Sequence, residues 1–340
     1  MNKPIEILIT HAFDAHLVDE LQQALPDVNI QLYPAKHSTD VPEEAWQSAE
    51  VLYTYRALPD PGQAPKLSWI QYHLAGIEKL LESPLIHQQN IAIATMSGAN
   101  ASQVAEHGIA MLLALCRRLP ELVAYQSRGE WMDDKEDRYQ PLELYDSTVG
   151  IVGYGSVGRR IAKLLKAFDA TILAVKRDVM DLSHQGYSPF ENYGDPNGDL
   201  FTRLYPVEAL CSMLKECDYV FITVPLTEKT RGLIGAPQLE ALKPDAILVD
   251  ISRGGVVEEK ALVKALEEGK LAGAAIDVFS EEPLPTDSPF WELDNVLISP
   301  HVAGFSKRYD QNAMHLFIEN IHRFIKNQPL LNQYDPERGY

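Results

Sequence analysis

The sequence predicts an α/β protein with two domains, each built on a parallel sheet with helices packed against it. Two observations carry this prediction. Short apolar runs alternate with helix-like segments along the chain, which is typical of parallel sheets. A glycine-rich turn, Gly-Tyr-Gly-Ser-Val-Gly at 153–158, lies near the middle of the 340 residues rather than at the start. A chain of this length accommodates two domains of ordinary size.

The first series of predicted strands precedes the glycine-rich turn. These runs are mostly apolar and are bounded by Gly, Pro or charged residues, as expected for strands that are buried on both faces. Helix-like segments such as Ala15–Ala24 and Ile77–Leu81 separate them. The predicted strands are Ile5–Thr10, Asn29–Tyr33, Val51–Tyr55, Ser68–His73 and Ile91–Thr95.

The second series begins immediately before the glycine-rich turn, so the domain that it forms cannot start at residue 1. A helix-like segment that contains Ile109–Cys116 joins the two series, and the tail after His301 holds one helix, Asp310–Lys326, but no further strong strand. We therefore expect a discontinuous substrate domain of residues 1–100 plus 302–340, and a dinucleotide-binding domain of residues 101–301. The predicted strands of the second series are Val149–Val152, Thr171–Val175, Tyr219–Val224, Ala246–Ile251, Ala274–Phe279 and Val296–Ser299.

Composition narrows the class of protein. The formal charge of −18, from 30 Lys and Arg against 48 Asp and Glu, disfavours binding to nucleic acid or to an anionic membrane. No apolar run approaches the roughly 20 residues of a membrane-spanning helix, and the N-terminus lacks the apolar stretch of a signal peptide. The three cysteines have no metal-like spacing. We therefore expect a cytoplasmic protein without a metal site.

Each glycine of the turn has a physical task in binding a pyrophosphate. Gly153 permits the tight turn, Gly155 lets backbone N–H groups approach the phosphates, and Gly158 lets the following helix pack close to the strand. The strand Val149–Val152 precedes the turn and the helix-like Arg159–Phe168 follows it, which is the context that the motif requires. The helix N-terminus adds partial positive charge. The predicted nucleotide contacts are Gly153, Tyr154, Gly155, Ser156, Val157 and Gly158.

The residues after the second strand of this domain bear on the coenzyme. In such domains an acidic side chain at the end of that strand binds the ribose 2′-hydroxyl of NAD. Here Thr171–Val175 is followed by Lys176 and Arg177, whose cations complement the 2′-phosphate of NADP. Asp178 is the competing candidate, but it opens a long polar loop, 178–205. We expect NADP as the preferred coenzyme; NAD, with the two cations merely solvated, is the alternative.

Polar residues follow the last three strands of the second series. Ligands bind beyond the carboxyl ends of strands in an open parallel sheet, so Arg253, Glu282 and His301 could converge on one crevice. A carbonyl that accepts hydride needs an acid near neutral pH and a fixed positive charge for the developing oxyanion, which His301 and Arg253 would supply. Either Glu282 or its neighbour Glu281 could be the carboxylate that pairs with His301. The segments concerned are Ile251–Gly255, Asp277–Pro283 and Ser299–Gly304.

On these segments the chain resembles the D-isomer-specific 2-hydroxyacid dehydrogenase family, which includes glyoxylate/hydroxypyruvate reductases and phosphoglycerate dehydrogenases. The resemblance spans roughly residues 50–340. It implies two Rossmann-like or flavodoxin-like parallel-sheet domains with a cleft between them. The matching segments are Leu74–Glu78, Gly98–Glu106, Val149–Gly158, Val224–Thr227, Ser252–Gly255, Asp277–Pro283, Ser299–His301 and Gly339–Tyr340.

The resemblance also implies catalytic roles. His301 would protonate the carbonyl oxygen of a 2-oxo acid while the nicotinamide delivers hydride, and it would act as the base in the reverse direction. Glu282, which stands immediately before Pro283 as in the family, would hydrogen-bond His301 and favour its imidazolium form. Arg253 would bind the substrate carboxylate and polarise the carbonyl.

Binding residues follow from the same resemblance. Backbone N–H groups of Ala75 and Gly76 would complete the carboxylate site, and Asp277 would lie beside the nicotinamide carboxamide. Tyr55, at the end of a predicted strand, would either touch the substrate or simply cap that strand. Lys176 and Arg177, predicted from their charge, stand where many members of the family carry an acid. The further coenzyme contacts that the resemblance implies are Val224, Pro225, Thr227, Ile251, Ser252, Arg253, Asp277, His301 and Gly304.

We therefore predict an oxidoreductase that transfers a hydride between NAD(P)H and a small 2-oxo acid or D-2-hydroxy acid, similar to glyoxylate or hydroxypyruvate reductases. The alternative is a coenzyme-sensing interaction protein on the same fold, as in transcriptional corepressors that resemble this family. The acidic composition disfavours that alternative. The predicted partners are a small-molecule substrate and a second copy of the chain, because the linking helix crosses to a partner subunit in the family.

Overall fold

A computed structural model describes residues 3–88, 90–184, 186–190 and 193–340 of the chain. The chain separates into two compact units. The first comprises residues 1–100, 185–191 and 306–340, and the second comprises residues 101–184 and 192–305. Each unit contains one parallel sheet with helices, which confirms the predicted α/β class. The functional names of the two predicted domains stay predictions.

The strands of the described residues form two fully parallel sheets. In the first unit, β1 (Ile5–Ile9), β2 (Val28–Leu32), β3 (Val51–Thr54), β4 (Trp69–Tyr72) and β5 (Ala92–Ala94) pair in the order β2-β1-β3-β4-β5. In the second unit, β6 (Thr148–Val152), β7 (Thr171–Val175), β8 (Arg203–Tyr205), β9 (Tyr219–Ile222), β10 (Ile247–Asp250), β11 (Gly273–Ile276) and β12 (Val296–Ile298) pair in the order β12-β11-β10-β9-β6-β7-β8. Every predicted strand is present, within three residues at each end.

The helices of the described residues fall between these strands. Short 3-10 turns lie at Ser38–Asp40, Pro84–His87, Lys166–Phe168, Val207–Ala209 and Pro289–Glu292. The α-helices are α1 (Ala15–Ala24), α2 (Glu43–Ser48), α3 (Glu78–Leu81), α4 (Ala101–Cys116), α5 (Leu119–Arg128), α6 (Lys135–Arg138), α7 (Ser156–Leu165), α8 (Leu210–Leu214), α9 (Ala236–Ala241), α10 (Glu259–Glu267) and α11 (Tyr309–Ile325).

The first unit buries both faces of its sheet. Leu21 of α1 and Phe317 of α11 join one apolar cluster, while Trp46 of α2 and Leu80 of α3 join a second. All residues of β3 and β4 are buried, because each face is covered by one of these clusters. This explains why the strands read as continuous apolar runs.

The second unit is organised around β6, which has β7 on one side and β9 on the other. The strand order therefore reverses at β6, and such a switch point is where open α/β sheets bind ligands. The helix α4 packs Val104, Ile109 and Leu112 into one apolar cluster of this unit, and Leu239 of α9 with Leu262 of α10 joins another. None of the helices in the described part of the chain combines the length and the apolar surface needed to cross a lipid bilayer.

Two boundaries differ from the prediction. The helix α7 begins at Ser156, inside the glycine-rich turn, rather than at Arg159. The polar loop predicted over 178–205 ends in β8, which pairs with β7. Three residues, one of them charged, give no detectable apolar pattern, and so the sequence does not predict β8. We call the described residues of this stretch, 178–184, 186–190 and 193–202, the inserted segment; its part at 186–190 belongs to the first unit, where Tyr187 is buried in the apolar core.

Candidate active site

The predicted catalytic and coenzyme segments of the second unit all follow strands of one parallel sheet. The glycine-rich turn follows β6, and Val224–Thr227 follows its neighbour β9. Residues 251–255, 277–283 and 299–304 follow β10, β11 and β12, which lie side by side beyond β9. Because these strands are parallel, the five segments share the carboxyl edge of the sheet, where ligands bind.

The glycine-rich turn has the geometry of an anion cradle. Gly153 has a φ of +106°, and a Cβ there would lie 2.8 Å from Val224 Cγ1. A Cβ on Gly158 would collide with the carbonyl oxygen of Gly153 and with Ile151, so glycine is required for α7 to begin this close to β6. The space above Gly155 is open. The turn and the N-terminus of α7 therefore fit the pyrophosphate of a dinucleotide, with backbone N–H groups as donors.

His301 and Glu282 meet as the sequence predicts. His301 Nδ1 lies 2.8 Å from Glu282 Oε2. The other carboxylate oxygen, Oε1, accepts a hydrogen bond from the backbone N–H of Phe279 at 3.0 Å, which fixes the orientation of the carboxylate. Because Glu282 engages Nδ1, Nε2 is the nitrogen that can exchange a proton with a substrate. The His301 side chain is 43% exposed, as its predicted role as an acid requires.

Asp277 fixes the turn that carries His301. Its buried carboxylate accepts hydrogen bonds from the hydroxyl of Ser299 at 2.5 Å and from the backbone N–H groups of Val302 and Ala303 at 3.0 Å each. Within this turn His301 adopts a φ of +54°, a left-handed conformation that costs a non-glycine residue free energy. The contacts to Asp277 offset that cost. The predicted contact of Asp277 with the nicotinamide carboxamide stays a prediction.

Two further members of this network, Ser299 and His107, have no predicted role in the sequence analysis. Ser299 Oγ, which donates to Asp277, also lies 2.9 Å from Nε2 of His107 on α4. The two residues are 192 positions apart, so no spacing or motif links them in the sequence. The network connects α4 to the turn of His301.

Arg253 lies in the loop after β10, in contact with the segment that carries Glu282. A Cβ on Gly254 would collide with the backbone of Phe279, so glycine is required for these two loops to touch. Arg253 Nη1 donates to the carbonyl oxygen of Ser252 at 2.7 Å. The loop of Arg253 therefore contacts the loop of Glu282, and Glu282 in turn contacts His301.

Asp250, the last residue of β10, is a buried acid behind this loop. Its Oδ1 accepts hydrogen bonds from the Ser252 hydroxyl at 2.5 Å and from the Ser252 backbone N–H at 3.0 Å. Burial raises the pKa of Asp250 to about 7, although the hydrogen bonds from Ser252 oppose this shift. The stability of this loop is thus linked to pH.

The predicted coenzyme-discriminating residues follow β7, which ends at Val175 as predicted. Lys176 Nζ donates to the carbonyl oxygen of Asp181 in the inserted segment, and burial lowers the pKa of the Lys176 ammonium. The Asp178 carboxylate accepts hydrogen bonds from backbone N–H groups two and three residues on, at 2.9 and 3.3 Å. Asp178 therefore closes a local turn, whereas Arg177 is exposed beside it.

The inserted segment is anchored on the glycine-rich turn, which the sequence does not predict. The buried Asp195 carboxylate accepts hydrogen bonds from Tyr154 OH at 2.6 Å and from backbone N–H groups three to five residues on, at 3.0 to 3.1 Å. Burial alone would raise the pKa of Asp195, but these hydrogen bonds hold it below its ordinary value. The buried Arg159 of α7 donates to the carbonyl oxygens of Leu182 at 2.7 Å, Ser183 at 3.3 Å and Asp195.

The predicted substrate-binding residues of the first unit follow β3 and β4. Tyr55 follows β3, and the Arg56 guanidinium carbon lies 4.9 Å from the centre of its ring. Ala75 and Gly76 follow β4 and are partly exposed. These positions belong to the carboxyl edge of the five-stranded sheet. Their predicted contacts with a substrate stay predictions.

The first unit also holds a histidine cluster without a sequence signal. The rings of His11 and His73 stack with centres 3.8 Å apart and planes at 24°, and their Nε2 atoms lie 3.5 and 3.6 Å from Asp310 Oδ1. Burial lowers the pKa of His73 to about 3. Three such atoms could hold a metal ion, but nearly parallel rings do not direct both nitrogen lone pairs at one ion. The expectation of no metal site stays a prediction.

Comparisons with known proteins agree with this geometry. Residues 109–303 match the family model described as D-isomer specific 2-hydroxyacid dehydrogenase, NAD binding domain. The chain is 34% identical over 243 residues to a D-3-phosphoglycerate dehydrogenase of Methanocaldococcus jannaschii. That match covers 71% of this chain and 42% of the relative. It is 33% identical over 273 residues to a glyoxylate reductase of Korarchaeum cryptofilum, which covers 78% of this chain and 75% of that protein. The chain thus spans less than half the length of the first relative.

A solved structure extends the likeness over nearly the whole chain. A D-isomer specific 2-hydroxyacid dehydrogenase from Xanthobacter autotrophicus Py2, in complex with NADPH and MES, superposes with a TM-score of 0.79 at 27% identity. The match covers 99% of this chain and 100% of that chain. The likeness therefore includes both sheets, as well as the stretch before residue 50 where the sequence resemblance is weak.

Proposed function

Because the chain belongs to the D-isomer specific 2-hydroxyacid dehydrogenase family, we propose that it is an NAD(P)H-dependent reductase of small 2-oxo acids, which oxidises D-2-hydroxy acids in reverse. The observation that carries the proposal is the contact between His301, on a turn where its φ is left-handed, and Glu282, whose loop touches the loop of Arg253. The pair supplies an acid and Arg253 supplies a fixed cation. Next to a pyrophosphate cradle on the same sheet edge, these are the groups that carbonyl reduction requires.

The reaction divides among these residues as follows. The bound coenzyme supplies the hydride. His301 donates a proton from Nε2 to the carbonyl oxygen of the 2-oxo acid, and Glu282 stabilises the imidazolium form through Nδ1. Arg253 binds the substrate carboxylate and stabilises the negative charge that develops on the carbonyl oxygen. In the oxidative direction the neutral imidazole of His301 accepts the proton of the hydroxyl group.

The substrate proposal is glyoxylate or hydroxypyruvate. A relative that bears the name glyoxylate reductase matches over three quarters of its length, which supports a small 2-oxo acid. The backbone N–H groups of Ala75 and Gly76 would bind its carboxylate together with Arg253, and Tyr55 would contact its other end.

The coenzyme proposal is NADP in preference to NAD. Lys176 and Arg177 follow β7, where the ribose of the adenosine half is bound in such domains. Asp178, whose carboxylate would favour NAD, is engaged by backbone N–H groups of its own turn. The solved relative in complex with NADPH supports the same preference.

The proposal includes a cytoplasmic homodimer. The stretch after α4 exposes large apolar side chains, among them Val123 at 60%, Trp131 at 79% and Tyr145 at 68%. Apolar surface of this kind on neighbouring segments favours burial against a second copy of the chain. The three cysteines form no disulfide bonds, which suits a reducing compartment.

The activity is tested by following NADPH oxidation in the presence of glyoxylate, hydroxypyruvate, pyruvate or phenylpyruvate. We expect turnover with at least one of them, and a lower KM for NADPH than for NADH. The absence of oxidation with all four acids would contradict the proposal. The alternative, a coenzyme-sensing interaction protein, predicts tight coenzyme binding, negligible turnover and a co-purifying partner protein.

A further inference from the structure

We propose that the inserted segment belongs to the coenzyme site, where its His184 positions the hydroxyl group of Ser156 to bind a phosphate of the coenzyme. The inference rests on the proposed function in one respect only, the binding of a dinucleotide at the glycine-rich turn. His184 is a positioning residue in this arrangement, because it acts through Ser156.

The position of Ser156 makes its hydroxyl group a phosphate donor. Ser156 is the first residue of α7 and follows Gly155, above which the space is open. The N-terminal N–H groups of a helix attract anions to this place. A serine hydroxyl has one proton and two lone pairs, so it can donate to a phosphate only when its proton is not directed at another protein group.

His184 sets the direction of that proton. His184 Nε2 lies 3.0 Å from Ser156 Oγ. Burial, together with the cations of Arg159 and Lys176, lowers the pKa of His184 to about 4, so the ring is neutral at pH 7. A neutral ring with its proton on Nε2 donates to Ser156 Oγ and leaves the hydroxyl proton for a phosphate oxygen. In this chain His184 donates to Ser156, and Ser156 donates to the phosphate.

Hydrogen bonds from three donors fix the backbone around His184. Arg159 of α7 donates to the carbonyl oxygens of the two preceding residues, at 2.7 and 3.3 Å. The backbone N–H of His184 donates to the carbonyl oxygen of Pro196 at 3.0 Å, and Lys176 after β7 donates to that of Asp181. A side chain on such a fixed backbone loses little conformational freedom when the coenzyme binds.

Two groups of NADPH could accept the hydrogen bond from Ser156, namely the pyrophosphate and the 2′-phosphate. The pyrophosphate is common to NADH and NADPH, whereas the 2′-phosphate is present in NADPH alone. Both groups would accept the same kind of hydrogen bond, and adenosine fragments separate them. 5′-ADP carries a 5′-diphosphate and no 2′-phosphate, whereas 2′,5′-ADP carries a 2′-phosphate and a 5′-monophosphate but no diphosphate.

The test measures Kd by isothermal titration calorimetry for NADPH, NADH, 2′,5′-ADP and 5′-ADP, on the full-length protein. The proteins are the wild type, Ser156→Ala, His184→Ala, His184→Gln and the double alanine variant. We expect each single alanine variant to raise Kd by about tenfold, as for a hydrogen bond to a charged acceptor. The double variant should be no weaker than Ser156→Ala, because the two side chains act as one unit. His184→Gln should retain most of the affinity, since an amide can donate in place of Nε2.

The matched control is His315→Ala, which removes an exposed histidine of the first unit that pairs with Glu20; it should leave every Kd unchanged. A rise in Kd for NADPH, NADH and 5′-ADP supports the inference with the pyrophosphate as acceptor, whether or not the Kd of 2′,5′-ADP also rises through its 5′-phosphate. A rise confined to NADPH and 2′,5′-ADP supports it with the 2′-phosphate. An unchanged or lower Kd in His184→Ala, or additive effects in the double variant, would overturn it. If His184→Ala does not fold, an unchanged Kd in Ser156→Ala overturns it instead.

These measurements separate the inference from the proposed function. A wild type that binds NADPH, responds to the variants as expected and reduces no 2-oxo acid contradicts the proposed activity but leaves the inference standing. If the His184→Ala variant reduces a 2-oxo acid and binds the coenzyme with wild-type affinity, the proposed activity stands and the inference is contradicted.

Discussion

The two sides of the glycine-rich turn position their side chains in different ways. On the side of β9 to β12, the site residues stand at the carboxyl ends of adjacent parallel strands, so the pairing of the strands brings the loops of His301, Glu282 and Arg253 to one edge of the sheet. On the side of β7 and β8, the inserted segment is shaped by two buried side chains, Asp195 and Arg159. The first arrangement follows from regular sheet geometry, whereas the second depends on individual hydrogen bonds within an irregular segment.

The largest expected effect is on the side of β9 to β12. His301→Ala should lower kcat/KM with a 2-oxo acid by about 10²- to 10⁴-fold, because it removes the proposed proton donor. The melting temperature should not fall, since the His301 side chain is 43% exposed and its partner Glu282 is 36% exposed and stays in contact with water. His315→Ala serves as the control, because its histidine has the same exposed fraction and also pairs with a glutamate. Equal activity of both variants would contradict the assigned role of His301.

On the side of the inserted segment, Asp195→Ala should destabilise the protein by about 3 kcal/mol, because it leaves a buried hydroxyl and three backbone N–H groups without their acceptor. Urea unfolding measures the loss, and limited proteolysis should cut within the inserted segment first. Asp178→Ala is the control in the same segment, because its carboxylate is exposed; it should cost less than about 1 kcal/mol. A larger loss for Asp178→Ala than for Asp195→Ala would refute this account of the segment.

Asp250→Asn tests how the loop of Arg253 depends on pH. The pKa of Asp250 is raised to about 7 in the folded protein and is about 3.9 when unfolded, so the folded state holds this proton more tightly. Its contribution to stability is therefore present below about pH 4 and is lost as the pH rises to about 7. The variant should match the wild type near pH 4 and exceed its stability by about 1–3 kcal/mol at pH 8.

Unfolding in urea at several pH values measures this difference. The control is Asp245→Asn, which changes an exposed acid shortly before the same strand and should give the pH dependence of the wild type. If Asp250→Asn is less stable than the wild type at pH 8, the buried acid has a partner that this account omits.

The smallest expected effect is that of Ser299→Ala. It removes one of the three hydrogen bonds to Asp277 and leaves both backbone donors in place. We expect a loss of about 1 kcal/mol in the free energy of unfolding and a fall in kcat of about tenfold or less. The turn that carries His301 becomes less rigid, but His301, the proposed proton donor, stays in place. A loss of activity as large as that of His301→Ala would give Ser299 a direct role in the reaction.

The sequence predicted most of the fold and the contact between His301 and Glu282. Apolar runs identified eleven of the strands, because strands that are buried on both faces carry a continuous signal. The family resemblance is confirmed by the match over residues 109–303. The choice of Glu282 over Glu281 agrees with the contact to His301. The short strand β8 has no such signal, because its pairing with β7 depends on the residues that bring it back to the sheet.

The sequence by itself determined the class of fold, the position of the glycine-rich turn and the residues at the strand ends, because these depend on local patterns and on the direction that parallel strands share. Only the tertiary structure decided that Asp277 clamps the turn of His301, that His107 reaches Ser299, and that His184 meets Ser156. These contacts join residues that no periodicity or motif relates. Hydrogen bonds between distant segments are set by packing, and packing becomes visible only when the chain is folded.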